Sequence, residues 1–223
     1  MNEQSRKETQ DETLLRTRKL LALAPYRAAR GGLAFELIRV DTQAHTFGDG
    51  QDYYAVNELG YVPVLQLDSG EVFREGAVLV QYIADQAPAT GLAPANGTIE
   101  RYRLWEYLTF LSSEIHKGFI PLFYAAAAEG YFDIAKAKLL ERFQWIDAQL
   151  SGRDFLMGEQ FTIADCYLFA LIGWAKADWM ASVFQLDLDL TGLGNLAAWH
   201  KRVMARPAVQ AALQAEGLQA EAA

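Results

Sequence analysis

The sequence lacks what a covalently braced, membrane-embedded or nucleic-acid-binding protein would need. One cysteine, Cys166, stands among 223 residues. A single thiol closes no internal disulfide, which fits a reducing compartment. No apolar run approaches the roughly 20 residues that cross a bilayer. Residues 1–12, MNEQSRKETQDE, carry no apolar core of a signal peptide, so a cytoplasmic protein is expected. Basic residues are outnumbered, 20 Lys and Arg against 28 Asp and Glu, for a net charge of −8. That balance argues against nucleic acid or an anionic membrane as the main partner, although one local basic group can still hold a small carboxylate. Internal repeats and low-complexity tracts are lacking too, and neither a metal nor a prosthetic group is expected. What is present is ordinary globular composition, 52% hydrophobic and 22% charged, in a chain long enough for two compact domains.

The first half reads as mixed α/β. Residues Phe35 to Val40 are rich in β-formers and predict a strand. Tyr61 to Leu67 alternates as a second strand, Asp68-Ser69-Gly70 signals a tight turn, and Glu71-Val72-Phe73 returns, so a hairpin is expected. From Glu75 to Gln86 the period becomes helical, with Val78, Leu79, Tyr82 and Ile83 on one face. Residues 88–97, PATGLAPANG, read as a linker. Everything beyond reads as helix: Thr98 to about Tyr124 with a bend near Gly118 and Pro121, Tyr131 to Leu150, a nearly all-apolar helix from Thr162, Asn195 to Met204, and Pro207 to Ala215. The expected division is an atypical segment over 1–32 (helical or disordered), an α/β domain over 33–87, a linker over 88–97 and an all-α domain over 98–223.

Two local features carry chemistry. In Val62-Pro63 a proline sits at the mouth of a strand, where it cannot donate to a ladder. A cis bond there turns the Val62 backbone outward to pair with an extended peptide; an edge-strand proline with no ligand is the plainer alternative. Glu75-Gly76 opens the following helix. Free N–H groups at a helix start take an anion, and Glu75 suits an ammonium, so a zwitterionic amino acid satisfies both. Simple helix capping is the alternative.

The order strand, Val-Pro, hairpin, Glu-Gly, helix is similar to bacterial glutathione transferases, most closely the beta class. The likeness is carried by Gly60-Tyr61-Val62-Pro63-Val64-Leu65, Asp68-Ser69-Gly70-Glu71 and Glu75-Gly76-Ala77-Val78-Leu79-Val80-Gln81-Tyr82. It continues through Ala93-Pro94-Ala95-Asn96-Gly97, Glu114-Ile115-His116-Lys117-Gly118-Phe119 and Ala205-Arg206-Pro207-Ala208-Val209, and covers the chain from about Leu33 to the end. It implies a thioredoxin-like N-terminal domain with a helical C-terminal domain, a homodimer, and conjugation of glutathione, as co-substrate, to a small electrophile. A non-catalytic binding or scaffold protein of the same fold is the alternative. The resemblance places His45, Tyr61, Val62, Pro63, Glu75, Gly76 and Thr109 at glutathione. Val62 would hold the cysteinyl backbone, Glu75 and Gly76 the γ-glutamyl end, and His45 the glycyl carboxylate. His116 and Lys117 would face the sulfur. Thr109 stands where the family often has an asparagine.

Phe161-Thr162-Ile163-Ala164-Asp165 resembles the family's capping box, with Thr162 capping the helix and Asp165 returning the bond, a folding feature. Cys166 in the same helix reads as inert packing. Before Leu33 the likeness stops: no strand is evident, and Leu20 occupies the position expected for a beta-class cysteine. Read one base out of register, residues 11–32 are compatible with Met-Lys-Leu, Tyr-Tyr-Ala-Pro-Gly, Ser-Cys-Ser-Leu-Ser-Pro and His-Ile-Ala-Leu-Arg-Glu-Ala-Gly. Joined, these spell the missing strand, active-site loop and first helix. A frameshift closed by a single base lost at Gly32 is expected, with a diverged, non-catalytic relative as the alternative; either way, loss of the thiol-activating loop would impair conjugation in this chain. A sheet without its first strand would also leave an unpaired ladder and fold poorly.

Overall fold

The structure, a computed structural model, describes residues 36, 38–124, 130–177 and 188–215. The segment 1–32, with Leu20 and the out-of-register reading, lies outside the described residues.

Short polar side chains set the first turns. The Asp41 carboxylate accepts the backbone N–H groups of Gln43 and Ala44, each at 2.9 Å, which reverses the chain between β1 (Val40–Asp41) and β2 (Thr46–Phe47). β3 (Gln51–Asp52) completes a three-stranded antiparallel sheet, with Val40 opposite Phe47 and Phe47 opposite Gln51. The strand expected over 35–40 is therefore displaced: Glu36, Ile38 and Arg39 are exposed and unpaired as strand, and ladder pairing starts at Val40. Residues 35 and 37 lie outside the described set.

The hairpin forms as β4 (Leu65–Gln66) against β5 (Val72–Phe73), with Leu65 opposite Phe73. Gly70, at φ 85°, makes its turn. Pairing is shorter than the expected Tyr61–Leu67, starting at Leu65 after Pro63, which offers no N–H to a ladder. Helix α1 (Gly76–Gln86) buries Leu79, Val80, Ile83 and Ala84. Val78, expected on that face, is instead 45% exposed.

The 88–97 stretch is tied down rather than loose. The Leu92 carbonyl accepts the Ile163 N–H at 3.0 Å. The Arg101 guanidinium, fully buried, donates to both Asp85 oxygens at 2.8 Å and to the Pro94 carbonyl at 3.1 Å. One side chain thus joins α1, this stretch and the first helix beyond it, a bidentate pairing that suits a planar guanidinium.

That helix, α2 (Ile99–Phe110), is capped by the Thr98 hydroxyl, which accepts the Arg101 N–H at 3.2 Å. It widens into a π-helical stretch, Leu111–His116, and tightens to a 3₁₀ stretch, Lys117–Tyr124, that contains Pro121. The expected bend thus begins seven residues before Gly118. Helices α3 (Phe132–Gln149), α4 (Ile163–Ala175), α5 (Gly194–Met204) and α6 (Pro207–Ala215) follow. As its apolar sequence required, α4 is central: it packs on α1, α2, the π-helical stretch and α5, with Ile163 to Ile172 wholly buried. Among the described residues no helix is long and apolar enough to cross a membrane.

Candidate functional site

The Tyr61 side chain is exposed, but its carbonyl is drawn inward. It accepts from the Tyr53 hydroxyl at 2.8 Å and from Asn57 Nδ2 at 2.7 Å. The chain then crosses the cis Val62-Pro63 bond into the hairpin. The cis bond that the sequence predicted is present.

At the other end of the hairpin, Glu75 precedes α1 with φ 67°, a left-handed value that few side-chain-bearing residues adopt. Its carboxylate makes no capping bond to the helix, and the first turn holds no acidic residue. This removes the capping reading of Glu75. Among the described residues no side chain accepts from the N–H end of α1, which starts at Gly76 with its partial positive charge available to an anion, and the Glu75 carboxylate stands beside it.

His45 has φ 52° and lies against the Tyr54 ring, centroids 4.4 Å apart. Its Nδ1 is buried, with no hydrogen-bond partner among the described residues. Gly60 makes room for it: a Cβ there would come within 2.7 Å of the imidazole, and its φ of 67° favours glycine besides.

On the helical side, His116 closes the π-helical stretch. Its Nδ1 is 2.9 Å from the Tyr167 hydroxyl, and its ring stands edge-on to Trp174 at 4.8 Å. Burial, with the Lys117 charge adding to it, pushes the His116 pKa down to about 4, so the ring is neutral at pH 7. Burial raises Tyr167 to about 12 against a hydrogen bond from Ser112, and the Glu75 carboxylate pushes the same way as burial. Lys117 is exposed. Thr109 is exposed on α2, its carbonyl accepting the Ser113 hydroxyl at 3.0 Å.

Stability should carry the mark of this burial. A pKa lowered in the folded state means stability that is whole above pH 6.5 and is lost as pH falls through 4. Between pH 7 and pH 4 the parent should lose on the order of 3 kcal/mol more than His116→Gln, judged by denaturant unfolding at each pH. His200, also lowered to about 4 by burial and the Lys176 charge, remains in both proteins. Parallel curves would refute the burial argument.

The capping box forms around Asp165, which is 0% exposed. The Thr162 N–H donates to Oδ2 at 2.9 Å and the Thr162 hydroxyl at 3.2 Å, while the Leu156 N–H and Trp199 Nε1 reach Oδ1 at 3.0 and 2.9 Å. Cys166 is buried, and burial pushes its thiol pKa up. Among the described residues no group of three or more His, Cys, Asp or Glu could hold a metal ion.

Tyr53, Asn57, Arg74, Ser112 and Tyr167 were not singled out in the sequence. Tyr167 had the one available signal, a hydroxyl inside an apolar helix that must find a partner.

A small sheet-and-helix unit with a cis-proline and an open helix start, joined to a helical domain, defines a thioredoxin-like fold built to hold a peptide beside a second, helical wall. The family model described as "Glutathione S-transferase, N-terminal domain" matches residues 29–91, and "Glutathione S-transferase, C-terminal domain" matches 110–207. Glutathione S-transferase GstA of Escherichia coli O157:H7 is 40% identical over 187 residues, 84% of this chain and 89% of the relative. A ternary complex of BphK, a bacterial GST, superposes with a TM-score of 0.81 at 42% identity, covering 92% of this chain and 97% of that one. A sphingomonad glutathione S-transferase complexed with glutathione gives 0.74 at 42% identity, covering 89% and 95%. The chain belongs to the glutathione S-transferase family.

Proposed function

We propose that the protein joins the thiolate of glutathione to the electrophilic carbon of a small molecule, with departure of a leaving group such as halide. The thiolate is the nucleophile, so the site must favour the ionised thiol. The observation that carries the reading is the open N-terminus of α1 beside an uncommitted Glu75. An α-amino acid end needs a helix start for its carboxylate and a carboxylate for its ammonium, and this pair offers both.

In this reading the ligand lies extended along Tyr61, Val62 and Pro63, pairing with the Val62 backbone. Its γ-glutamyl end meets Glu75 and Gly76, and its glycyl carboxylate meets the His45 side chain. Thr109 lies at the edge of the same site. His116 faces the sulfur as a neutral ring, and a hydrogen bond donated by its N–H favours thiolate over thiol. Lys117 adds positive charge. The family resemblance supports a homodimer, a cytoplasmic, detoxification-type role, and the division into 33–87, 88–97 and 98–223. The compatibility of residues 11–32 with the family's opening supports a shifted frame, which the coding DNA would reveal.

Retention on immobilised glutathione, release by free glutathione, and conjugation of an electrophilic aromatic halide are the expected results. Failure to bind glutathione would overturn the reading. Binding without turnover would leave a binding protein.

A further inference from the structure

One buried side chain that need touch no ligand links both ends of this site. Asn57, 2% exposed, donates from Nδ2 to the Tyr61 carbonyl at 2.7 Å and accepts at Oδ1 from Arg74 Nε at 2.9 Å. Arginine only donates, so its contact fixes which end of the amide is oxygen. The Tyr53 hydroxyl takes the other side of the Tyr61 carbonyl at 2.8 Å, and the Tyr53 N–H donates to the His45 carbonyl at 2.7 Å. Tyr61 immediately precedes Val62, and Arg74 immediately precedes Glu75. Three residues thus tie together the segments bearing His45, Val62 and Glu75.

We infer that Asn57, with Tyr53 and Arg74, is the positioning centre of the glutathione site, an inference that rests on the function proposed above. The Tyr61 carbonyl and the Val62 N–H belong to one planar peptide unit and point in opposite directions. Two buried donors occupy the carbonyl and hold it inward, so the Val62 N–H is turned out to where an extended ligand pairs. The Arg74 contact carries the same constraint along the chain to Glu75. Without Asn57, Val62 and Glu75 would each remain but would lose their mutual placement, and a ligand bridging them would bind less well.

Asn57→Asp separates the two halves of this role: the carboxylate still accepts from Arg74 but cannot donate to Tyr61. Calorimetry should show glutathione affinity falling about five- to tenfold, the equivalent of one lost hydrogen bond with its carbonyl left half-satisfied. KM for glutathione should rise in step, while kcat at saturating glutathione and KM for the electrophile stay at the parent values. Tyr53→Phe removes a single hydroxyl and should shift affinity the same way; it keeps the test open if Asn57→Asp does not fold. Arg74→Met should weaken binding, and Arg74→Lys should restore part of it. If these variants lower the Tm but bind glutathione as the parent does, the network is structural only and the inference falls while the function stands. If the parent binds no glutathione, the proposed function falls and takes the inference with it.

Discussion

Asp165→Ala should cost the fold on the order of 3–5 kcal/mol, or prevent folding altogether. The carboxylate is wholly buried and accepts four hydrogen bonds, from the Leu156 and Thr162 N–H groups, the Thr162 hydroxyl and the Trp199 indole. Those donors come from the loop before α4, the start of α4 and the middle of α5. An ordinary capping box is worth about 0.5–2 kcal/mol; this one also fastens a second helix, and its loss strands several buried donors. Burial holds the Asp165 carboxyl above its usual range, and the four bonds oppose that. Urea unfolding of the variant checks the figure, and a loss under about 1 kcal/mol would show that the neighbours find other partners.

Glu75→Ala should behave in the opposite way, with stability nearly unchanged and glutathione affinity reduced roughly 10- to 100-fold, the range of a charge-assisted hydrogen bond. The Glu75 side chain caps nothing in α1, so its truncation removes no capping bond. Glu75→Gln should fall between, because it keeps an acceptor and loses the charge. Calorimetric titration beside a thermal melt separates the two roles. A variant that melts earlier yet binds normally would return Glu75 to a helix-starting residue.

The parts legible in the sequence were those with a one-dimensional signature. Val62-Pro63 announces its bend because proline lacks an N–H. The apolar run from Ile163 announces a central helix, and Thr162 with Asp165 announces its cap. The contacts at Asn57 had no such signature. An asparagine in a polar stretch reads as turn material, and its partners lie 4 and 17 residues away. The His116–Tyr167 contact spans 51 residues and depends on the π-helical widening of the segment, which no periodicity of 3.6 forecasts. The displaced strand near Val40 follows similar logic: β-propensity describes a surface that fits a sheet, and pairing requires a neighbour that composition does not name.

The chain's sole cysteine bears on chemistry that the fold leaves undone. Cys166 is buried in the apolar core, where burial pushes its thiol pKa up, and cysteine oxidation or disulfide exchange needs an accessible thiolate. Burial therefore keeps this thiol out of reach of peroxides and reactive electrophiles. The sacrificial sulfur is the one that arrives and departs with the tripeptide.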